Sequence, residues 1–182
     1  YIAMQAELTL SFSYTLEKIV NNHFGVDIKK KKAKTDLDAL KSLDKNEVNI
    51  SILPYPSTDN DWWVKFKCFA DIFVIGSISE SYIGIPQALI LGKQNIEYTD
   101  KNIVLATIEI KSKEVQQYTS LLSSENYTII AERAIDSHKS IIIFASKAIT
   151  EEEIEDKIEV IENNKLNLQD SLKIMGVYAV FK

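Results

Sequence analysis

Apolar positions along this 182-residue chain repeat with two periods, one suited to helices and one to strands. The second half is the more regular. IVLATIEI (Ile103–Ile110) is an apolar, β-rich run, and KEVQQYTSLLSSE after it sets Val115, Tyr118, Leu121 and Leu122 on one helical face. YTIIAERAI and SIIIFASKAI read as strands joined by the turn-type tetrapeptide DSHK. TEEEIEDKIEVIENN predicts a helix. Thr150 and Glu153 fit a capping box, Glu151–Glu153 suit the positive end of the helix dipole, and Ile154, Ile158 and Ile161 form the buried stripe. SLKIMGVYAVF closes as a strand.

The first half alternates helices and strands. SYTLEKIVNNHFG is helical, with Leu16, Ile19, Val20 and Phe24 aligned and Gly25 as the stop. VDIKKKKAK is a strand with a lysine-heavy face. TDLDALKSLDKNE is a second helix, capped by Thr35 with Asp38 at N3 and buried through Leu37, Leu40 and Leu43. VNISILP is a strand ended by Pro54, and FADIFVIGSIS and PQALILG are two more. The fold class expected is α/β followed by α+β, the second half having the β-α-β-β-α-β order of a ferredoxin-like unit, one antiparallel sheet with both helices on one face. The boundary is placed near Asn95–Asn102, and YIAMQAEL, which has helical spacing, reads as the tail of a helix from an upstream domain.

Composition narrows the function. Hydrophobic residues make up 46% and charged residues 26%, an ordinary globular balance. A net charge of −5 argues against nucleic acid as a partner. Arg133 is the sole arginine, which limits bidentate capture of carboxylate or phosphate to one position. A single cysteine, Cys68, excludes an internal disulfide framework and fits a cytoplasmic location; among Phe66, Phe69 and Ala70 it is expected to be a buried, inert thiol. His23 and His138 lack metal-ligand spacing, so neither metal nor cofactor is expected, and no apolar run reaches the roughly 18 residues of a membrane span.

Three motifs carry candidate chemistry. Lys29–Lys32 could attract an anion, but alternate residues of a strand face opposite ways, and a solvated edge strand is the simpler reading. Ser11 and Ser13 precede a helix and could seat an anion on its N-terminal N–H groups, with ordinary capping by Ser13 as the plain alternative. ILPYPSTDNDWWVKF (Ile52–Phe66) stops a strand at two prolines and runs through a polar loop into Trp62 and Trp63. These tryptophans are expected to pack between the two halves or across a dimer contact, rather than to form a ligand platform.

SFSYTLEKIVNNHFG followed by TDLDALKSLDKNEVNISILPYP resembles the first lobe of prephenate dehydratases, where a Gly-Thr-Phe-Ser turn opens a helix ending in Phe-Gly. PQALILGKQNIEYTDKNIVLATIEI is similar to that family's Thr-Arg-Phe segment and its run into an ACT regulatory domain, and LKIMGVYAV resembles the closing Leu-Gly-Ser-Tyr strand. The DWW loop and GVYAV ending resemble a divergent alphaproteobacterial subgroup, in which a chorismate mutase precedes a shortened dehydratase-like region. The resemblance implies a helical remnant over 1–10, a truncated periplasmic-binding-like α/β domain over 11–98, and an ACT-like ferredoxin-fold domain over 99–182.

It also implies what is lost. The Thr-Arg-Phe positions match Pro86, Gln87 and Ala88, and proline offers neither hydroxyl nor N–H, while glutamine offers no charged fork. The Glu-Asn-Ser segment matches Pro56, Ser57 and Thr58, and Ser11 keeps the place of the first-turn threonine. The ACT ligand turn matches Lys113, Glu114 and Val115; the Ile-Glu-Ser-Arg-Pro segment matches Ile130–Ala134 and keeps Ile130 and Arg133. Arg133 could clamp a carboxylate across a dimer, or pair with Glu132 or Asp136. The stretch from Pro54 to Ala88 is close to the roughly 30 residues of one βαβ unit, too short for a complete second lobe. No catalytic residue is therefore expected. Ser11, Ser13, Ser57, Thr58, Gln87 and Arg133 are the candidate ligand-binding residues of a degenerate regulatory or assembly module, with a homodimer, an upstream chorismate mutase domain and a small aromatic carboxylate as partners. An active minimal dehydratase using Ser11, Ser57 and Thr58, or a purely structural dimerisation module, are the alternatives.

Overall fold

The computed structural model describes residues 8–10, 14–79, 86–93, 102–148, 153 and 172–179. It is a mixed α/β structure whose described residues form two compact units. One comprises 8–10, 14–55, 69–79 and 86–93; the other comprises 56–68, 102–148, 153 and 172–179. Among the described residues no helix is long and apolar enough to cross a membrane.

The first unit contains β1 (Leu8–Leu10), α1 (Tyr14–Phe24), β2 (Lys30–Lys32), α2 (Asp36–Asp44), β3 (Ile50–Pro54), β4 (Phe73–Ile78) and β5 (Ala88–Gly92). Its strands stand in the order β2-β1-β3-β5-β4. β1 is parallel to β2 and β3, and β5 is antiparallel to β3 and β4. The helical remnant expected over 1–10 is thus corrected at its end. Leu8-Thr9-Leu10 alternates with period two and is the strand between β2 and β3, while 1–7 lie outside the described residues.

α1 and α2 cover opposite faces of this sheet. Leu16, Ile19 and Val20 of α1 cluster with Ile52, Ile78 and Ala88. On the other side, the buried Ser51 hydroxyl donates to the Ala39 carbonyl of α2 at 2.9 Å. Neighbouring strand residues point opposite ways, so β3 is covered on both sides, and Ser51, Ile52 and Leu53 are accordingly buried without alternation. The ends of the helices follow the sequence reading. Thr35 Oγ1 accepts from Asp38 N at 3.1 Å, and Gly25, at φ +85°, donates to Asn21 O at 2.9 Å. Leu40 and Leu43 are buried as the pattern predicts, joined by Ala39 and Ser42, whereas Leu37 is only half-buried.

The lysine strand lies at the end of the order, as an edge should. Its side chains divide by face. Lys30 reaches Asn21 and Lys32 reaches Glu17 (2.7 Å), both on α1, whereas Lys31 pairs with Glu47 beyond α2. Lys31 holds the exposed Glu47 carboxyl below its ordinary range. Two of these cations pair with the unit's own carboxylates and the third hydrogen-bonds an amide, rather than all three forming one anion seat.

The second unit holds a 3₁₀ helix (Trp62–Cys68), β6 (Asn102–Lys111), a 3₁₀ turn (Ser112–Glu114) leading into α3 (Val115–Ser124), β7 (Thr128–Ala134), β8 (Lys139–Ala148) and β9 (Leu172–Ala179). The strand order is β9-β6-β8-β7, and the pairs β6–β9, β6–β8 and β7–β8 are antiparallel. One face carries Ala106, Ile108, Ile110, Ile142 and Phe144, closed over by Leu122 of α3 with Tyr127. The other face carries Glu109, Ile141 and Arg133, which the registers β6–β8 and β8–β7 set side by side in one row. A register shift at Ile129/Ala131 returns Ala131 and Arg133 to that second face. The helix expected in Thr150–Asn164 lies outside the described residues, apart from Glu153, which is helical and exposed; the boundary at 95–101 lies outside them too.

Tyr127 packs edge-on against Phe144, with ring centroids 5.4 Å apart, and burial followed by the nearby Glu125 charge raises its phenol above the usual 10.0. The neutral phenol is therefore favoured in the folded state. Its contribution is intact below about pH 10 and is lost as pH rises through the folded value, because the unfolded chain ionises first. Tyr127→Phe should lose less stability than the parent chain between about pH 8 and pH 11, read from urea midpoints. Equal losses in the two proteins would refute this account.

Candidate functional site

The segment after β3 makes its own turn. Ser57 Oγ accepts hydrogen bonds from Asp59 N (3.1 Å) and the Asn60 amide Nδ2 (3.0 Å), a side-chain mimic of a backbone turn. Val64 N donates to Asp61 O at 3.1 Å and opens the 3₁₀ helix. The indole N–H of Trp63 is shared between the carbonyls of Ser57 (3.2 Å) and Asn60 (3.0 Å). Its polar atom is thus satisfied while its ring is withdrawn from water.

The period of three accounts for one pair of buried rings, and Trp62 at the start of the helix joins them. Trp63 and Phe66, three apart, share the inner face, and Trp62 meets Phe66 edge-on at 6.0 Å. All three are essentially inaccessible, at 1% or less. Lys65, Lys67 and Cys68 face outward. The buried thiol expected at Cys68 is therefore corrected: it is exposed, since the 3₁₀ period turns it away from Phe66. A single chain is enough to bury both tryptophans, so no partner copy is needed to cover them.

Two ion pairs fasten this segment to the sheet face opposite α3. Lys67 pairs with Glu109 of β6. Arg133 of β7 donates through Nη2 to the Thr58 carbonyl at 3.2 Å and sits 3.5 Å from Asp61 Oδ2 through Nη1. Pairing of Arg133 with Glu132 or Asp136 gives way to this contact. Glu132, next along the strand, points to the other face, and Asp136 is engaged in the hairpin turn. Its Oδ1 accepts from His138 N (2.7 Å) and Lys139 N (2.9 Å), which hold its carboxyl below the ordinary range. The side chains of Arg133 and Asp61 are 38% and 76% exposed, so water screens their pairing to less than about 1 kcal/mol. Most of the hold on the segment comes from the buried rings.

The structure thus brings Ser57, Thr58 and Arg133 together in the second unit. Gln87 belongs to the first, at the start of β5. Its side chain is exposed, its N–H donates to Ile78 O and its carbonyl accepts from Tyr55 N, both at 2.9 Å. Pro86 and Ala88 beside it are buried. Ser11 and Ser13 lie outside the described residues. Asp61, Trp63 and the Lys67–Glu109 pair were not legible as parts of this cluster. The Trp63/Phe66 spacing of three was a usable signal, but Asp61 had nothing to set it apart. Chemically, Ser57 Oγ receives two donors and has no base in those bonds to take its proton. The arginine retains N–H groups beyond the two engaged here, and these could meet one anionic group.

No family model matches the sequence, and no curated protein sequence matches it. Solved structures do match in fold. The prephenate dehydratase from Streptococcus mutans aligns with a TM-score of 0.63 at 14% identity, covering 97% of this chain and 98% of its own. The prephenate dehydratase from Arthrobacter aurescens in complex with L-Phe gives 0.65 at 8% identity, over 95% and 89%. GqqA, a novel type of quorum quenching acylase, gives 0.66 at 7% identity, over 96% and 95%. The chain therefore has a prephenate-dehydratase-like fold, one that an acylase also uses.

If the tryptophan segment is an internal cover, Trp63→Ala should cost about 3–5 kcal/mol in urea unfolding, the usual loss for a buried aromatic ring. Arg133→Gln should cost less than about 1 kcal/mol, because its ion pair faces water. A larger loss for the arginine variant than for the tryptophan variant would reverse this ranking.

Proposed function

We propose that this chain is a catalytically degenerate prephenate dehydratase-like module with an ACT-like second unit, serving regulation or assembly in aromatic amino acid biosynthesis. The fold likeness to prephenate dehydratases supports the coarse reading. The strand order β9-β6-β8-β7, with α3 between β6 and β7, supports the ACT-like, ferredoxin-type assignment, because it is the order of a split βαβ unit. The homodimer, the cytoplasmic location, the upstream chorismate mutase domain and a small aromatic carboxylate ligand belong to the same proposal.

One observation carries the degenerate reading. Two segments that resemble ligand sites of the dehydratase family grip each other. The Pro56-Ser57-Thr58 segment, in the place of Glu-Asn-Ser, offers its Thr58 carbonyl to Arg133, the arginine kept from the Ile-Glu-Ser-Arg-Pro segment. In the place of Thr-Arg-Phe, Pro86 and Ala88 are buried and the Gln87 backbone is tied into the sheet. Between Pro54 and Ala88 the described residues supply one 3₁₀ helix and one strand, with no helix-covered second lobe to close over a dicarboxylate. Groups that would bind and protonate a departing hydroxyl are replaced by ones that hold the fold.

The purified chain should release no phenylpyruvate from prephenate above the buffer rate at neutral pH, followed by absorbance. Turnover that Ser57→Ala abolishes would establish the minimal-dehydratase reading instead. In a thermal-shift panel of chorismate, prephenate, phenylalanine and tyrosine, one carboxylate should raise Tm by several degrees, and Arg133→Gln should remove that rise. No shift with any of them, together with a stable dimer by light scattering, would leave only the structural module.

A further inference from the structure

We draw no further inference here: the strongest candidate, the half-exposed Arg133 guanidinium held by Thr58 and Asp61 on the covered face of the second sheet, belongs to the site already described.

Discussion

A sheet that is apolar on both faces must be covered twice, and the second unit depends on how it meets that demand. Ser140 to Ser146 of β8 are buried without interruption. α3 accounts for one side of that strand. The other side, the face of Ile141 and Arg133, receives the segment from Pro56 to Cys68. Two tryptophans and a phenylalanine supply the apolar area, and burying each ring is worth a few kcal/mol. The polar turn ahead of them satisfies one indole N–H through the Ser57 and Asn60 carbonyls. Ion pairs at Glu109 and Arg133 set the position of the segment, while the rings provide the stability.

That division of labour bears on chemistry. A working site needs donors preorganised towards a space that a substrate will occupy. Here Ser57 Oγ, the Thr58 carbonyl and part of the Arg133 fork are directed at one another and at the turn. Such an arrangement holds a loop.

The first unit meets the same demand by different means. Its parallel core, β2-β1-β3, receives a helix on each face, and its lysine edge is met from both sides, by a hydrogen bond to Asn21 and by the charges of Glu17 and Glu47. The lysines keep the edge from pairing with another strand, and their partners limit the repulsion within the run.

Local pattern was enough to read the periodic elements: α1 with its Gly25 stop, α2 with its Thr35 cap, the strands β3 to β9, the solvated lysine edge and the strand–helix–strand–strand order of the second half. Local propensity and period suffice there, because each pattern repeats several times within one element. Three residues of β1 were too few to outweigh the helical spacing ahead of them. The fate of the Trp62–Cys68 segment, the exposure of Cys68 and the choice of Asp61 and Thr58 as partners of Arg133 emerge only in the folded chain. Those outcomes depend on which sheet face lacked a cover, and positions this far apart in sequence become neighbours only once the sheet has formed.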